Sequence, residues 1–339
     1  MLSTIVPPEQ WANKKSPIDV LARRKMVLGN VLRDGKRKIY KIEPGKGFAG
    51  DNEKGAACLF VSGCSFLCQY CFVNPASLSG AKGDFHSPEE AFEKLKKIII
   101  STRNPHVQFN GGEVFLTPEW TLELIKLLSE FFEKECRFTS GKHPGRIWCD
   151  TMGFDLMRES QLFESLTPYK KRVALFISTK GHPDDYEIVS RTPGEFADEP
   201  FLALEKAWKH GLVAMPEVLD RMFWPQRMDW YIERLKAIHP NAPRVLHLDQ
   251  YSPISYVRWS PDKKMKTIGF RPNKSDPERN SPIREEVIEE WQNRLEALYG
   301  PTGRKPPYRG IDSPTFCCDL YPDESFRLTE ELIFNKAPL

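Results

Sequence analysis

The sequence predicts an α/β fold built on a parallel sheet, and three observations carry that expectation. Six strand-helix alternations run from residue 56 to about 250, the pattern of parallel strands joined by right-handed crossovers. The first strand candidate, 56–61, is a short, wholly apolar run, which suits a strand buried on both faces. The helix candidates open on capping signals and repeat their apolar residues at helical spacing.

Residues 1–55 mix Pro, Gly and charge, hold only short candidate elements such as 38–42, and read as an N-terminal extension. The first strand, 56–61, ends before Gly63. Ser87, Pro88, Glu89 and Glu90 make a capping box with Pro at the first helical position, and Phe92, Leu95 and Ile99 extend that helix to about residue 102. A second strand at 106–110 is closed by Gly111, Gly112 and Glu113. Thr117 and Pro118 open a helix with Trp120, Leu124, Leu127, Leu128 and Phe131 on one side. Strands follow at 146–150, 172–178, 212–218 and 244–248, alternating with helices near 155–166, 199–210 and 229–238. Residues 252–280, rich in Pro, Lys, Ser and Asp, read as a loop. Ser281 and Pro282 then open a helix carrying Val287, Trp291 and Leu295, stopped by Gly300 and Pro301, and a short amphipathic stretch occupies 328–334. The expected organisation is an extension 1–55, a core unit 56–251 and a C-terminal extension 252–339 with one long helix.

A chain of 339 residues can bury a large core. Its net charge of +3 and charged fraction of 28% commit it to neither nucleic acid nor membrane. The distribution is less even, since residues 14–41 hold ten Lys or Arg against Asp19 and Asp34. That run is either a solvated basic face or a phosphate-binding arm for RNA. Eight cysteines without a secretory signal or a membrane-length apolar stretch point to a soluble protein of a reducing compartment, cytoplasmic by default. Cys136, Cys149, Cys317 and Cys318 lack loop spacing and read as small hydrophobes rather than ligands of a second cluster.

The chemistry is concentrated at Cys64, Cys68 and Cys71, three cysteines spaced by four and three directly after the first strand. Soft thiolates at this density select an iron-sulfur cluster or zinc, and three ligands leave one coordination position open. A structural zinc site with Cys58 as fourth ligand is the non-enzyme alternative. The Cys-x3-Cys-x2-Cys loop, with Tyr70 before its last cysteine, resembles that of the radical S-adenosylmethionine (radical SAM) enzymes. The resemblance implies a partial six-stranded parallel (β/α)6 TIM-like barrel with N- and C-terminal extensions. It also implies a 4Fe-4S cluster held by the three cysteines, whose electron cleaves S-adenosylmethionine to a 5′-deoxyadenosyl radical.

Within that superfamily the chain is similar to the glycyl-radical activases typified by the pyruvate formate-lyase activating enzyme. By that resemblance Gly111, Gly112 and Glu113 bind the amino group of S-adenosylmethionine, and Tyr70 lies against its adenine. Asp150 and Thr151 supply hydrogen bonds, with Met152 standing where the activases have asparagine. Ser178 and Lys180 face the ribose, Ser178 standing where the activases have aspartate, and Asn74 with Pro75 matches a further activase pair. The Asp-Gly-Pro-Gly-x-Arg stretch of the activases is absent, whereas Lys180, Gly181, Asp184 to Glu187 and Arg191 to Pro193 are similar to a poorly characterised activase-like group. The implied partners are a polypeptide substrate and an electron donor such as flavodoxin or ferredoxin; RNA modification through 14–41 is the alternative. No membrane partner is expected.

Overall fold

The computed structural model describes residues 17–45, 56–68, 71, 73–139, 145–159, 161–219, 225–249, 282–300 and 322–334. In chain order the elements are α1 (Val20–Val31), β1 (Leu32–Arg33), β2 (Lys36–Gly45), β3 (Ala56–Val61), α2 (Pro75–Leu78), β4 (Asp84–His86), α3 (Pro88–Thr102) and β5 (His106–Gly111). They continue with α4 (Pro118–Lys134), β6 (Arg146–Thr151), α5 (Phe154–Arg158), α6 (Leu162–Leu166), β7 (Val173–Ser178), α7 (Pro183–Ser190) and α8 (Glu199–Lys209). The rest are β8 (Val213–Leu219), α9 (Pro225–Lys236), β9 (His247–Asp249), α10 (Pro282–Tyr299) and α11 (Pro322–Thr329), which runs into a π-helical turn at Glu330–Phe334. No helix among the described residues is long and apolar enough to cross a membrane.

The result is an α/β fold on a curled, half-barrel sheet. Among the described residues β3, β5, β6, β7, β8 and β9 lie side by side in that order and pair parallel throughout. The sheet does not begin at β3. The ten-residue β2 pairs antiparallel with β3, and β1 and β4 pair antiparallel with β2. Residues 20–45, expected to hold only short elements, therefore contribute a twelve-residue helix and the edge of the sheet. The alternation in β2 is broken by a bulge between Ile39 and Lys41, and α1 leaves Leu21 and Met26 exposed, so neither element shows a clean apolar stripe.

Elsewhere the capping signals act as read. Ser87 Oγ accepts from Glu90 N (3.2 Å) while Glu90 Oε2 accepts from Ser87 N (2.8 Å), closing the box at the start of α3. The single helix expected over 155–166 is two short ones, and α7 was not anticipated. The last strand shrinks to three residues because Pro243 sits in a 3-10 turn, Ala242–Val245, immediately before it.

Register gives the parallel strands two distinct faces, because in-register partners project to the same side. Leu59, Phe109, Cys149, Leu175 and Ala214 share one face, which is apolar. Cys58, Gln108, Trp148 and Ala174 share the other, followed toward the strand ends by Phe60, Asn110, Asp150, Phe176, Ser178, Glu217 and His247. At the opposite end of that second, polar face α11 inserts Phe326, fully buried and edge-on to Trp148 at 6.3 Å, with the Arg146 guanidinium 3.5 Å over its ring.

Candidate functional site

The cysteine loop leaves β3 through Ser62 and Gly63 and is fixed before the first thiol. Gly63 N donates to Ser77 O (2.8 Å) and Cys64 N to Leu78 O (3.0 Å). Both acceptors lie in α2, whose N-cap is Asn74, with Oδ1 accepting from Ala76 N (2.7 Å), and whose first residue is Pro75. The Asn-Pro pair thus has a local task as a helix start. From the other side α1 presses Val27 and Val31 against Gly63, where an added Cβ would lie 2.8 Å from both side chains. Cys71 N donates to Cys68 O (3.1 Å), turning the loop so that its thiols fall within one another's field. Burial pushes the Cys64 thiol well above its ordinary value and Cys71 up to about 12, Cys68 adding to both. Coordination to a cation is what would deprotonate them. Tyr70 lies outside the described residues.

Gly111, Gly112 and Glu113 lie against this loop. A Cβ at Gly112 would fall 2.0 Å from Gly63 O, so only glycine allows the approach. Gly112 N donates to Val61 O (2.8 Å) and Glu113 N to Gly63 O (2.7 Å). The Glu113 carboxylate is fully buried and reaches across to the end of β6. It accepts from Thr151 Oγ1 (2.7 Å), Met152 N (3.0 Å) and Phe115 N (3.1 Å). Behind it Arg37, with no exposed surface, donates to Glu113 O and Val114 O, both at 2.5 Å. Asp155, also buried, pairs with Arg24. Burial raises Glu113 to about 7, and Asp155 adds to the rise; burial lowers Arg37 to about 10, which Glu113 and Asp155 oppose.

The structure divides the remaining candidates. Thr151 joins Glu113, but its neighbour Asp150 projects to the polar face, where Oδ2 accepts from Gln108 Nε2 (3.0 Å). Ser178 ends β7 on that face, its Oγ bonded to Lys180 Nζ, and the Lys180 charge reaches Cys71. Sequence reasoning missed Gln108, Glu217 and His247. The last two sit side by side on β8 and β9, His247 Nδ1 being 3.4 Å from Glu217 Oε1 and its ring 5.1 Å from Phe176. The signal was available in part, because each is a polar residue inside or just before an apolar run. Cys58, the fourth ligand of the zinc alternative, points its thiol at Ala56 O (3.8 Å) within its own strand. Cys149 is buried in the core, and Cys317 and Cys318 lie outside the described residues.

Part of the basic run is spent on the fold itself, while Lys25, Arg33 and Lys41 stay exposed and Lys14 and Lys15 lie outside the described residues. Arg23 donates to Leu78 O, Arg24 pairs with Asp155 and Glu159, Lys36 with Glu90, and Lys38 donates to Gly80 O. With Arg37 buried as well, these five residues hold the fold, which leaves the phosphate-anchor alternative to the exposed remainder of the run.

Three buried donors, on the cysteine loop, on α2 and on α1, have no hydrogen-bond partner among the described residues: Ser65 Oγ, Ser77 Oγ and Arg23 Nε. Orphaned donors on the loop and on the two helices packed against it, together with three soft ligands in the chain, fit a bulky anionic guest with many acceptor atoms, as an iron-sulfur cluster is. Site and fold therefore define an α/β protein with a cluster-binding loop at a strand end.

Comparison with known proteins agrees. Residues 45–151 match the family described as 4Fe-4S single cluster domain. Over 74 residues the chain is 35% identical to the pyruvate formate-lyase-activating enzyme of Clostridium pasteurianum, covering 21% of this chain and 31% of that one. The match thus spans about a third of that relative's length. Two cysteine-substituted forms of spore photoproduct lyase share the fold at 12% identity. One has a TM-score of 0.52 with 87% of each chain covered, the other 0.51 with 86%. Residues 45–151 thus resemble a 4Fe-4S domain, and the chain resembles the radical SAM enzymes in motif, in local sequence and in fold.

Proposed function

We propose that this chain is a radical SAM enzyme that takes hydrogen from a polypeptide substrate, in the manner of a glycyl-radical activase. The observation that carries the reading is the loop of Cys64, Cys68 and Cys71, its first cysteine buried, held at a strand end by backbone bonds to α2 and accompanied by unsatisfied donors on neighbouring residues. When bound, a 4Fe-4S cluster on these thiolates supplies the electron that cleaves S-adenosylmethionine. The local identity to an activating enzyme supports the polypeptide target.

The chain's own residues then have separable tasks. Gly63 and Gly112 let the end of β5 approach the cysteine loop, so Gly111 and Gly112 would offer backbone to a ligand held on that loop. Glu113 locks the ends of β5 and β6 together through Thr151 and Met152, its carboxylate having three protein donors already. Asp150, Ser178 and Lys180 are left to meet the cofactor from the polar face, with Tyr70 from the loop itself. Gln108, Glu217 and His247 extend that face toward the substrate. The six parallel strands suit the (β/α)6 partial barrel of this class, and the electron donor is a small redox protein such as flavodoxin or ferredoxin.

The test is anaerobic reconstitution with iron and sulfide. About four irons per chain are expected, for a single 4Fe-4S cluster. The brown absorbance and 5′-deoxyadenosine formation should vanish in Cys64→Ala, Cys68→Ala and Cys71→Ala and persist in Cys58→Ala. A full cluster in Cys68→Ala, or a single zinc in the wild type, would overturn the assignment.

A further inference from the structure

We infer that Arg23 of α1 is a hydrogen-bond donor to the cluster held by Cys64, Cys68 and Cys71, and that it raises the cluster's reduction potential. The inference rests on the cluster assignment above and adds a residue that the cysteine motif does not contain. Its geometric ground is a shared acceptor. Arg23 Nη2 donates to Leu78 O (3.3 Å), and the same oxygen accepts from Cys64 N (3.0 Å). The guanidinium is therefore pinned within one carbonyl of the first cluster cysteine.

The second ground is the unused part of the fork. Arg23 Nε is buried and has no partner among the described residues, an arrangement that costs free energy unless something accepts from it. Arginine keeps its charge at any pH the protein meets, so this donor cannot be relieved by deprotonation. Burial disfavours the Arg23 charge, and a thiolate at Cys64 would favour it.

The third ground is that α1 cannot easily swing away. Arg24 on the next position is tied to Asp155 at 2.5 Å, Asn30 Nδ2 donates to Ser79 O (3.0 Å), and Val27 and Val31 rest on Gly63. Asp19 Oδ1, the acid nearest in the chain, is engaged as the N-cap with Ala22 N (2.9 Å). A cation and its N–H group held in this place stabilise the electron-rich state of an iron-sulfur cluster, whose potential follows net charge and hydrogen bonds to sulfur. No bond forms or breaks in this role; one electron from dithionite enters the cluster, and Arg23 biases that equilibrium.

The experiment is a dithionite redox titration of the reconstituted protein followed by electron paramagnetic resonance, comparing wild type, Arg23→Met and, on the exposed side of the same helix, Lys25→Met. With iron content equal in all three, Arg23→Met should be about tenfold harder to reduce, a shift of about 59 mV to more negative potential for one electron. Lys25→Met should match the wild type. An unshifted midpoint in Arg23→Met, or an equal shift in Lys25→Met, overturns the inference. Should Arg23→Met fail to fold, pulsed resonance on the reduced wild type labelled with 15N-arginine decides, because the absence of a guanidinium nitrogen coupling overturns it equally. A wild type that takes up no iron and sulfide refutes the cluster assignment instead, so the two failures are distinct.

Discussion

Gly112→Ala is the sharpest test of how the site is assembled. The new Cβ would stand 2.0 Å from Gly63 O and 2.7 Å from Gly63 C, both backbone atoms that no side-chain rotation can move aside. The end of β5 and the cysteine loop would have to part by more than about 1 Å to restore ordinary contact. That movement breaks the 2.7 Å bond from Glu113 N to Gly63 O. Overpacking of this kind costs about 1–3 kcal/mol, and a lost buried backbone bond adds roughly 1 kcal/mol. The smaller conformational freedom of the unfolded alanine chain returns about 0.4–1 kcal/mol, which leaves a net loss of about 1–3.5 kcal/mol. Urea unfolding followed by circular dichroism measures it. Gly29→Ala is the matched control, since Gly29 lies within α1 and an added Cβ there meets nothing within 4 Å. That change should stabilise by up to about 1 kcal/mol. If Gly112→Ala unfolds within about 0.5 kcal/mol of the wild type, the close approach of loop and strand is not a constraint, and the reasoning fails.

Two further outcomes follow from buried groups. Glu113 is raised from 4.5 to about 7, so the folded chain holds a proton there that the unfolded chain has released, and this contribution to stability falls as pH rises from about 4.5 to 7. Glu113→Gln removes that dependence, so relative to the wild type it should gain on the order of 3 kcal/mol between pH 4.5 and 7.5; parallel pH profiles in urea melts would refute the assignment. Phe326→Ala should cost about 3–5 kcal/mol by emptying the space beneath Trp148, and unchanged thermal unfolding and tryptophan fluorescence would show that α11 does not anchor the sheet.

Legibility in the sequence followed physical cause. Strand β3 could be read because a strand covered on both faces is apolar throughout, and α3 because Ser87 and Glu90 advertise its first turn. The cysteine loop was legible because spacing along the chain already confines three thiols to one turn. Arg37 was not legible. Counted as one member of a basic run, it is wholly buried, and what buries it are Glu113 and Val114, 76 and 77 residues away. The bond from Thr151 to Glu113 likewise spans 38 residues. Asp150 and Thr151, treated as a pair, serve opposite faces, a separation that strand periodicity alone could have announced.

The seating of Phe326 on Trp148 also sets a schedule for synthesis. The two rings are 178 positions apart, whereas α1 and β2 precede the cysteine loop they support. At about 5–20 residues per second, the ribosome finishes β6 roughly 10–40 s before it delivers the ring that covers it. The cysteine loop finds its α1 support already made and α2 within a few residues, but the lower half of the polar face must wait. During that interval an indole and its neighbours are open to chaperones and to other nascent chains, so the yield of folded protein should respond to translation speed between codons 148 and 326.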